Sequence, residues 1–480
     1  MSDDRLTEGF PQLSYEDWLQ AATKALEGQD FESGLGSRTL DGIRIAPIYG
    51  RMAAPAGGPG YLGRSAPGGW TINQRHAEAD PAAANAAVLE DLASGAEMVT
   101  LQLAVPGQFG LPARYEAIAA ALAGVQLDAV AIGLKAGDQY IGAVQCLAEL
   151  WDAQRMAGAR CRAALNADPL GHLAATGALE TELWSSLEVL AHFVRQNADV
   201  WPSTTLLLAD GRPYHEAGAS EAEELAAMLA TLVEYLRALD YEDLRPDRTL
   251  RTLAAGLAAD VDQFLTLAKF RAARLLIAKV AEACGAGHAA AAVRLQATTS
   301  ERMLSTMDLH TNTLRMTIAA AGAVLGGADT LTVLPHTWPL GRPDAAARRL
   351  ARNVQIVLME EAALGRVADP ASGSGYVEAL TTQLAEAAWA IFQKIEADGG
   401  MAKALQTGSL AERIAGTASR RAAEIKDGKR SITGVTTFAA KPEAPAGVAP
   451  HPPVAPIETA ATRVNALAPV RLAAPHEPRA

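Results

Sequence analysis

The sequence predicts an α/β fold, a (β/α)8 barrel, and three observations carry that prediction. Short apolar runs alternate with helical patterns along most of the chain. The runs are apolar throughout, so both of their faces are covered, as in a parallel sheet packed under helices. About eight such runs fall over roughly 350 residues, which suits a closed barrel enlarged by insertions. An open doubly wound sheet shares this pattern, and periodicity alone does not separate the two. Residues 290–376 show the unit most clearly. The run 290–296 reads as a buried strand. Leu314, Ile318, Ala321 and Leu325 then recur at helical spacing, and Gly326-Gly327 stands where a helix ends. A second apolar run, 330–334, and a second helix, 344–363, follow.

Taken in order, residues 1–38 read as an N-terminal arm. Tyr15, Trp18, Leu19 and Ala22, continued by Leu26, form the apolar face of a short helix that packs on the chain's own body or on a partner. Residues 39–48 alternate like a short strand entering the core. The Gly/Pro-rich loop 54–69 is either a functional loop or a surface insertion. Asp80-Pro81 is an N-cap with proline in the first helical position. From there helices near 81–94, 113–122, 142–156 and 179–196 precede strands at 98–104, 129–134, 161–166 and 204–209. A helix at 221–239 and a long helical region at 254–283 lead to the two strands already described. The last barrel helix spans 376–397 and ends at Gly399-Gly400. Residues 401–438 read as a short helical extension. Residues 439–480 hold nine prolines and thirteen alanines. Such a segment buries too little apolar surface to offset its ordering entropy, so a mobile or extended tail is expected.

Composition narrows the class. Of 480 residues, 49% are hydrophobic and 20% charged, ordinary for a globular protein. No apolar run reaches the ~20 residues that span a bilayer, and the acidic first residues lack an apolar signal core. A formal charge of −12 argues against a nucleic-acid partner. Cys146, Cys161 and Cys284 form no ligand pair and no even disulfide framework, which fits a reducing cytoplasm. His192, His215, His288, His310 and His336 show no zinc spacing. Gly373-Ser374-Gly375 lacks a nucleophile-elbow frame, and Gly57-Gly58-Pro59-Gly60 lacks the lysine and helix of a phosphate loop. Arg348, Arg349 and Arg352 share one helix, as a solvated face or a salt-bridged subunit interface.

Several local sequences, in shared order and spacing, carry a family resemblance: Thr39-Leu40-Asp41-Gly42, Gly69-Trp70-Thr71-Ile72, Glu216-Ala217-Gly218-Ala219, Lys269-Phe270-Arg271-Ala272-Ala273-Arg274, Gly326-Gly327-Ala328-Asp329, Leu350-Ala351-Arg352-Asn353, Asp369-Pro370-Ala371-Ser372-Gly373-Ser374 and Tyr376-Val377-Glu378. Over about residues 39–438 the chain resembles the acyl-CoA-binding TIM barrel of the adenosylcobalamin-dependent methylmalonyl-CoA mutases. The resemblance implies an enzyme that interconverts methylmalonyl-CoA and succinyl-CoA by radical rearrangement, with the hard chemistry supplied by the cofactor.

The chain also departs from the family pattern. The cobalamin domain that follows the barrel, with its Asp-x-His-x-x-Gly motif, is not found. The near-match Asp308-Leu309-His310 has Thr313 in place of the glycine and falls at a helix start, where Asp308 can cap. Catalytic chains read Arg-Thr-His-Cys-Gln-Thr-Ser-Gly-Trp where this chain has Arg294 to Arg302. The family's histidine, glutamine and tryptophan thus become Gln296, Thr298 and Arg302. The glutamine after the paired glycines becomes Asp329, whose charge is expected to repel an acyl-CoA. The family's Tyr-His pair falls on Arg212 and Pro213, with Tyr214-His215 shifted by two residues. The tyrosine that assists cofactor homolysis is Arg75, in Asn73-Gln74-Arg75.

By this resemblance the chain is expected to be the small, non-catalytic subunit of a heterodimeric mutase, with no catalytic, cofactor-binding or metal-binding residues of its own. A large catalytic subunit would bind adenosylcobalamin and the methylmalonyl-CoA or succinyl-CoA. The sequence 331–335 also looks like the small-subunit version. The alternative is a catalytic barrel whose cobalamin domain is a separate chain; a free-standing acyl-CoA-binding protein is a third reading. The expected organisation is an arm (1–38), the barrel (39–400), a helical extension (401–438) and a poorly ordered tail (439–480). No membrane or nucleic-acid partner is expected.

Overall fold

A computed structural model describes residues 14–50, 63–64, 67–439 and 448–477. Eight parallel strands close into a barrel: β1 (Thr71–His76), β2 (Met98–Ala104), β3 (Ala131–Lys135), β4 (Ala163–Ala167), β5 (Thr205–Asp210), β6 (Leu253–Ala259), β7 (Arg294–Thr299) and β8 (Thr330–Thr332). Thr330, Leu331 and Thr332 of β8 pair with Thr71, Ile72 and Asn73 of β1, so the sheet has no free edge. The helices outside are α1 (Pro81–Ala93), α2 (Tyr115–Ala121), α3 (Tyr140–Ala153), α4 (Leu183–Asn197), α5 (Glu221–Asp240), α6 (Gln263–Ala283), α7 (Leu309–Leu325) and α8 (Ala345–Ile356). Beyond them come α9 (Gly375–Ala397), α10 (Gly400–Thr407) and α11 (Ser409–Lys426). Helix α9 packs on α5 and α6, and α10 on α5, so α5 is buried on nearly all sides. The barrel predicted from the alternation of elements is the fold found, and the open sheet is excluded.

Two strand assignments change. The first barrel strand is β1, not 39–48, where only Arg44–Ile45 is extended and pairs antiparallel with Ser37–Arg38 outside the barrel. The region 254–283 is not all helix: its first residues form β6, which pairs with β7 from Ala254 and Arg294 to Ala259 and Thr299. Its sequence, Leu-Ala-Ala-Gly-Leu-Ala-Ala, has no β-branched residue, so local propensity points to helix and burial on both faces overrides it. Gly256 is needed there, because a Cβ would lie 2.8 Å from Asp210 Oδ1.

The motifs that carry the resemblance are buried clamps. Along α6, Lys269 Nζ lies 2.5 Å from Glu224 Oε2. Arg271 lies 2.9 Å from both Asp369 and Glu378. Arg274 lies 2.8 Å from Asp329 and donates to the Val293 and Gly327 carbonyls. The expected role of Asp329 is therefore corrected. Its carboxylate is neutralised by Arg274 and accepts the Leu295 N–H at 2.7 Å, which fixes β7 against β8. Arg348 and Arg352 of α8 pair with Glu90 and Asp91 of α1, so these charges join two helices of this chain. Asp41 Oδ2 accepts the Ala222 N–H at the start of α5.

The tail differs from its expectation over the described residues 448–477. It is extended, as its prolines require, yet it is fastened to the loops that follow β8, β2, β4, β5 and β7 in turn. Arg342 N–H donates to the Ala449 carbonyl, Gly107 N–H to Ala455 and Leu467 N–H to Ala174. Thr462–Arg463 pairs antiparallel with Ala178–Leu179. Val470 N–H donates to Glu216 and Leu472 N–H to Arg302. The ordering cost falls on backbone hydrogen bonds and on a few anchors, Leu467 and Ala473 among them. The loop 51–62, the four glycine-rich residues 57–60, the arm before residue 14 and residues 440–447 and 478–480 lie outside the described residues. Among the described residues no helix is long and apolar enough to cross a membrane.

Candidate functional site

The C-terminal ends of the strands, where barrels of this kind place their chemistry, open on a cavity of about 610 Å³. Its floor is made by inward residues of the strands. Asn73 on β1 donates to Thr100 at 2.9 Å and to Thr332 at 2.8 Å. Asn166 lies at a bulge between β4 and β5 and has φ 52°. That turns its side chain inward, where its Oδ1 accepts from Gln296 Nε2 at 3.0 Å. Higher up, Arg212 holds Asp210 through Nε at 2.6 Å and NH2 at 2.8 Å, and donates to Thr298 at 2.9 Å. At the rim Arg75 lies 3.0 Å from Glu301 and 4.2 Å from the centre of the Trp338 ring.

Behind one wall lies a second network, fully buried. His215 bonds Glu224 at 3.1 Å through Nδ1 and Ser300 at 2.8 Å through Nε2. Burial, with the charge of Arg302, pushes its imidazole down to about 4. Against burial, Lys269 and His215 pull Glu224 down to about 2. Arg302 donates to Asp260 at 2.6 Å and to the carbonyls of His215 and Ala219. His215, Glu221 and Asp260 converge closely enough to suggest a cation site. The Arg302 guanidinium, 3.6 Å from Glu221, already supplies the cation there. Sequence spacing could not reveal this cluster, because its members come from the ends of β5, β6 and β7 and the start of α5.

The residues singled out from sequence separate into two groups. Arg75, Arg212, Pro213, Gln296, Thr298 and Arg302 line the cavity, whereas Tyr214 and His215 do not. The shifted Tyr-His pair is buried in the wall. Gln74 points away from the axis and donates to the Arg348 carbonyl on α8. Asp308 sits at the N-cap of α7 with φ 48° but makes no side-chain cap; its carboxylate takes the Thr311 hydroxyl instead. His310 is exposed and stacks on His336, with ring centres 5.8 Å apart.

The tail crosses the mouth. His451 stacks on Phe109, with ring centres 4.7 Å apart, lies equally close to Trp338 and bonds the Trp338 carbonyl at 3.0 Å. Val454, Leu467 and Val470 complete the cavity wall.

Comparison with known proteins agrees with this barrel. The family model described as methylmalonyl-CoA mutase matches residues 60–475. A methylmalonyl-CoA mutase small subunit of Streptomyces virginiae is 42% identical over 468 residues, covering 94% of this chain and 74% of that protein. The small subunit of Propionibacterium freudenreichii subsp. shermanii is 34% identical over 454 residues, covering 90% and 70%. A methylmalonyl-CoA mutase of Cereibacter sphaeroides is 28% identical over 463 residues, covering 89% and 65%. With a family model matched across most of its length, the chain belongs to the methylmalonyl-CoA mutase family.

Proposed function

We propose that the chain is the small, non-catalytic subunit of a methylmalonyl-CoA mutase, an isomerase, and supports a larger catalytic subunit. The observation that carries this reading is the similarity to two methylmalonyl-CoA mutase small subunits, at 42% and 34% identity over 94% and 90% of this chain. The chain's own residues 448–477 cross the face where a barrel presents its chemistry, with His451 seated on Phe109 and Trp338. The residues at family pocket positions are engaged with one another, as Arg212 with Asp210 and Thr298, and Gln296 with Asn166. Adenosylcobalamin does not fit the residues present: His310 of the near-match Asp308-Leu309-His310 stacks on His336 and does not line the cavity. We assign the cofactor and the acyl-CoA to the partner chain. No observation favours the reading of a catalytic barrel with a separate cobalamin chain. Three free thiols support a cytoplasmic setting.

The test is co-expression with a longer homologue that carries a cobalamin domain. The expected result is one co-purifying heterodimer whose turnover survives substitution of Arg75 or Arg212 in this chain. A lone monomer in sedimentation beside the homologue overturns the proposal.

A further inference from the structure

Helix α7 is apolar on both of its faces. Met316, Ala319, Ala320 and Ala323 point inward and are buried in the barrel core. The stripe Leu314, Ile318, Ala321 and Leu325 lies on the outer side. Leu314 is 63% and Ile318 39% exposed, and Ala321 and Leu325 are half-buried. His310, Thr313 and Thr317 complete this outer face. The helix holds one Asp, Glu, Lys or Arg, Arg315, and it is buried. Arg315 donates to Asn312 and to the Thr433 carbonyl, and the turn so held ends at Phe438, which is 92% exposed. Each of the other helices α1–α8 exposes at least one such charge, as Glu116 on α2, Glu149 on α3, Glu188 on α4 and Lys279 on α6. A helix that is apolar all round is normally covered all round.

Charge decides what fits there. The chain has a formal charge of −12, so a second barrel of similar charge is repelled from most of its surface. The outer face of α7 sets no fixed charge against such a barrel. Aliphatic and threonine side chains also pack against their own kind, so the face is self-complementary, as a twofold contact between related barrels requires. We propose that the outer face of α7 is a seam of the subunit interface, packed against the corresponding helix of the homologous catalytic barrel where the pseudo-twofold axis passes. A helix of this length, about 25 Å, covers only part of the ~2,000 Å² that an obligate pair buries, so the seam is its centre and other contacts complete it. The assignment rests on the subunit reading and adds to it the surface by which the two barrels meet.

The test uses the full chain co-expressed with a longer homologue that carries a cobalamin domain. Leu314→Glu with Ile318→Glu puts two carboxylates into the seam, where pairing would desolvate them. The double variant should weaken the heterodimer about tenfold or more in sedimentation, while the melting temperature of the chain alone stays nearly unchanged, because both side chains are exposed. Val189→Glu, at an exposed apolar position on α4, should pair as the wild type does. A second measurement leaves the seam uncharged: maleimide labelling of Leu314→Cys, mapped by mass spectrometry, should be slowed in the pair relative to the chain alone. Full-strength pairing by the double variant, equal weakening by Val189→Glu, or equal labelling in the pair overturns the seam and leaves the subunit reading standing. A wild-type chain that does not pair with the homologue removes both. A homodimer of this chain alone that the double variant dissolves would give the face to a second copy and overturn the assignment of its partner.

Discussion

Arg302 and Asp260 meet at 2.6 Å inside the wall of the barrel, the first from the loop after β7 and the second from the end of β6. Where the family's catalytic pattern has tryptophan, this chain places a cation and has built its neighbourhood around it. Glu221, Asp260 and two carbonyls all face the guanidinium. Against burial, Arg302 and His215 hold Asp260 below the usual carboxylate range. Arg302→Met should therefore leave buried carboxylates without a cation and cost about 3–5 kcal/mol of stability. Urea denaturation measures this, and a cost under about 1 kcal/mol would mean that the network matters little.

His215 gives a pH signature. Its folded value is about 4, against about 6.5 in an unfolded chain. Because the folded value is the lower one, the unfolded state takes up the proton first as pH falls. Its contribution is complete above about 6.5 and is lost as pH drops toward 4. The stability gap between the wild-type chain and His215→Gln should narrow by about 3 kcal/mol between pH 7 and pH 4. Denaturation midpoints at several pH values check this. A gap that does not change would mean that His215 takes up its proton equally readily in the folded and unfolded chain.

These two sites show what the sequence makes legible. The barrel could be read because hydrophobic patterning is local, and β2 is found at its predicted bounds. β6 was hidden because its alanines favour helix and only two-sided burial makes them a strand. Asp329 reads as a misplaced charge until α6 brings Arg274 beside it. The tail reads as unstructured because its anchors are backbone N–H and C=O groups, which every sequence has.

The tail should act as a structural belt. A chain ending at Phe438 loses the strand pairing at Ala178–Leu179 and the cover over Trp338. The barrel should still fold, since its strands and helices are complete. Its urea midpoint should fall, and Trp338, now buried, should emit further to the red, with Trp338→Phe as the control that assigns the shift. An unchanged spectrum would show that 448–477 do not cover Trp338.

The arm supplies the prediction that bears on assembly. Its helix, Tyr15–Ala25, is well made: Ser14 and Asp17 form a reciprocal capping box, and Lys24 stands in the last turn. Yet none of its residues is buried, and Tyr15 is 51% exposed. Trp18 packs on Tyr15 and, edge on, against Phe31, with ring centres 5.5 and 6.0 Å away. Aromatic groups gathered on a capped helix that does not bury them in its own body form the kind of anchor that partner interfaces use. The catalytic homologue is the partner proposed here, and a pair of related barrels would meet about a pseudo-twofold axis. An obligate interface of that kind buries more than about 2,000 Å², so the arm is one part of it. Deleting residues 1–30 should leave the barrel's melting temperature nearly unchanged while weakening the heterodimer. Trp18→Ala should weaken it by about 2 kcal/mol, a hot-spot loss. Sedimentation of the co-expressed pair reads both outcomes. Full-strength assembly by the truncated chain would remove the arm from the interface.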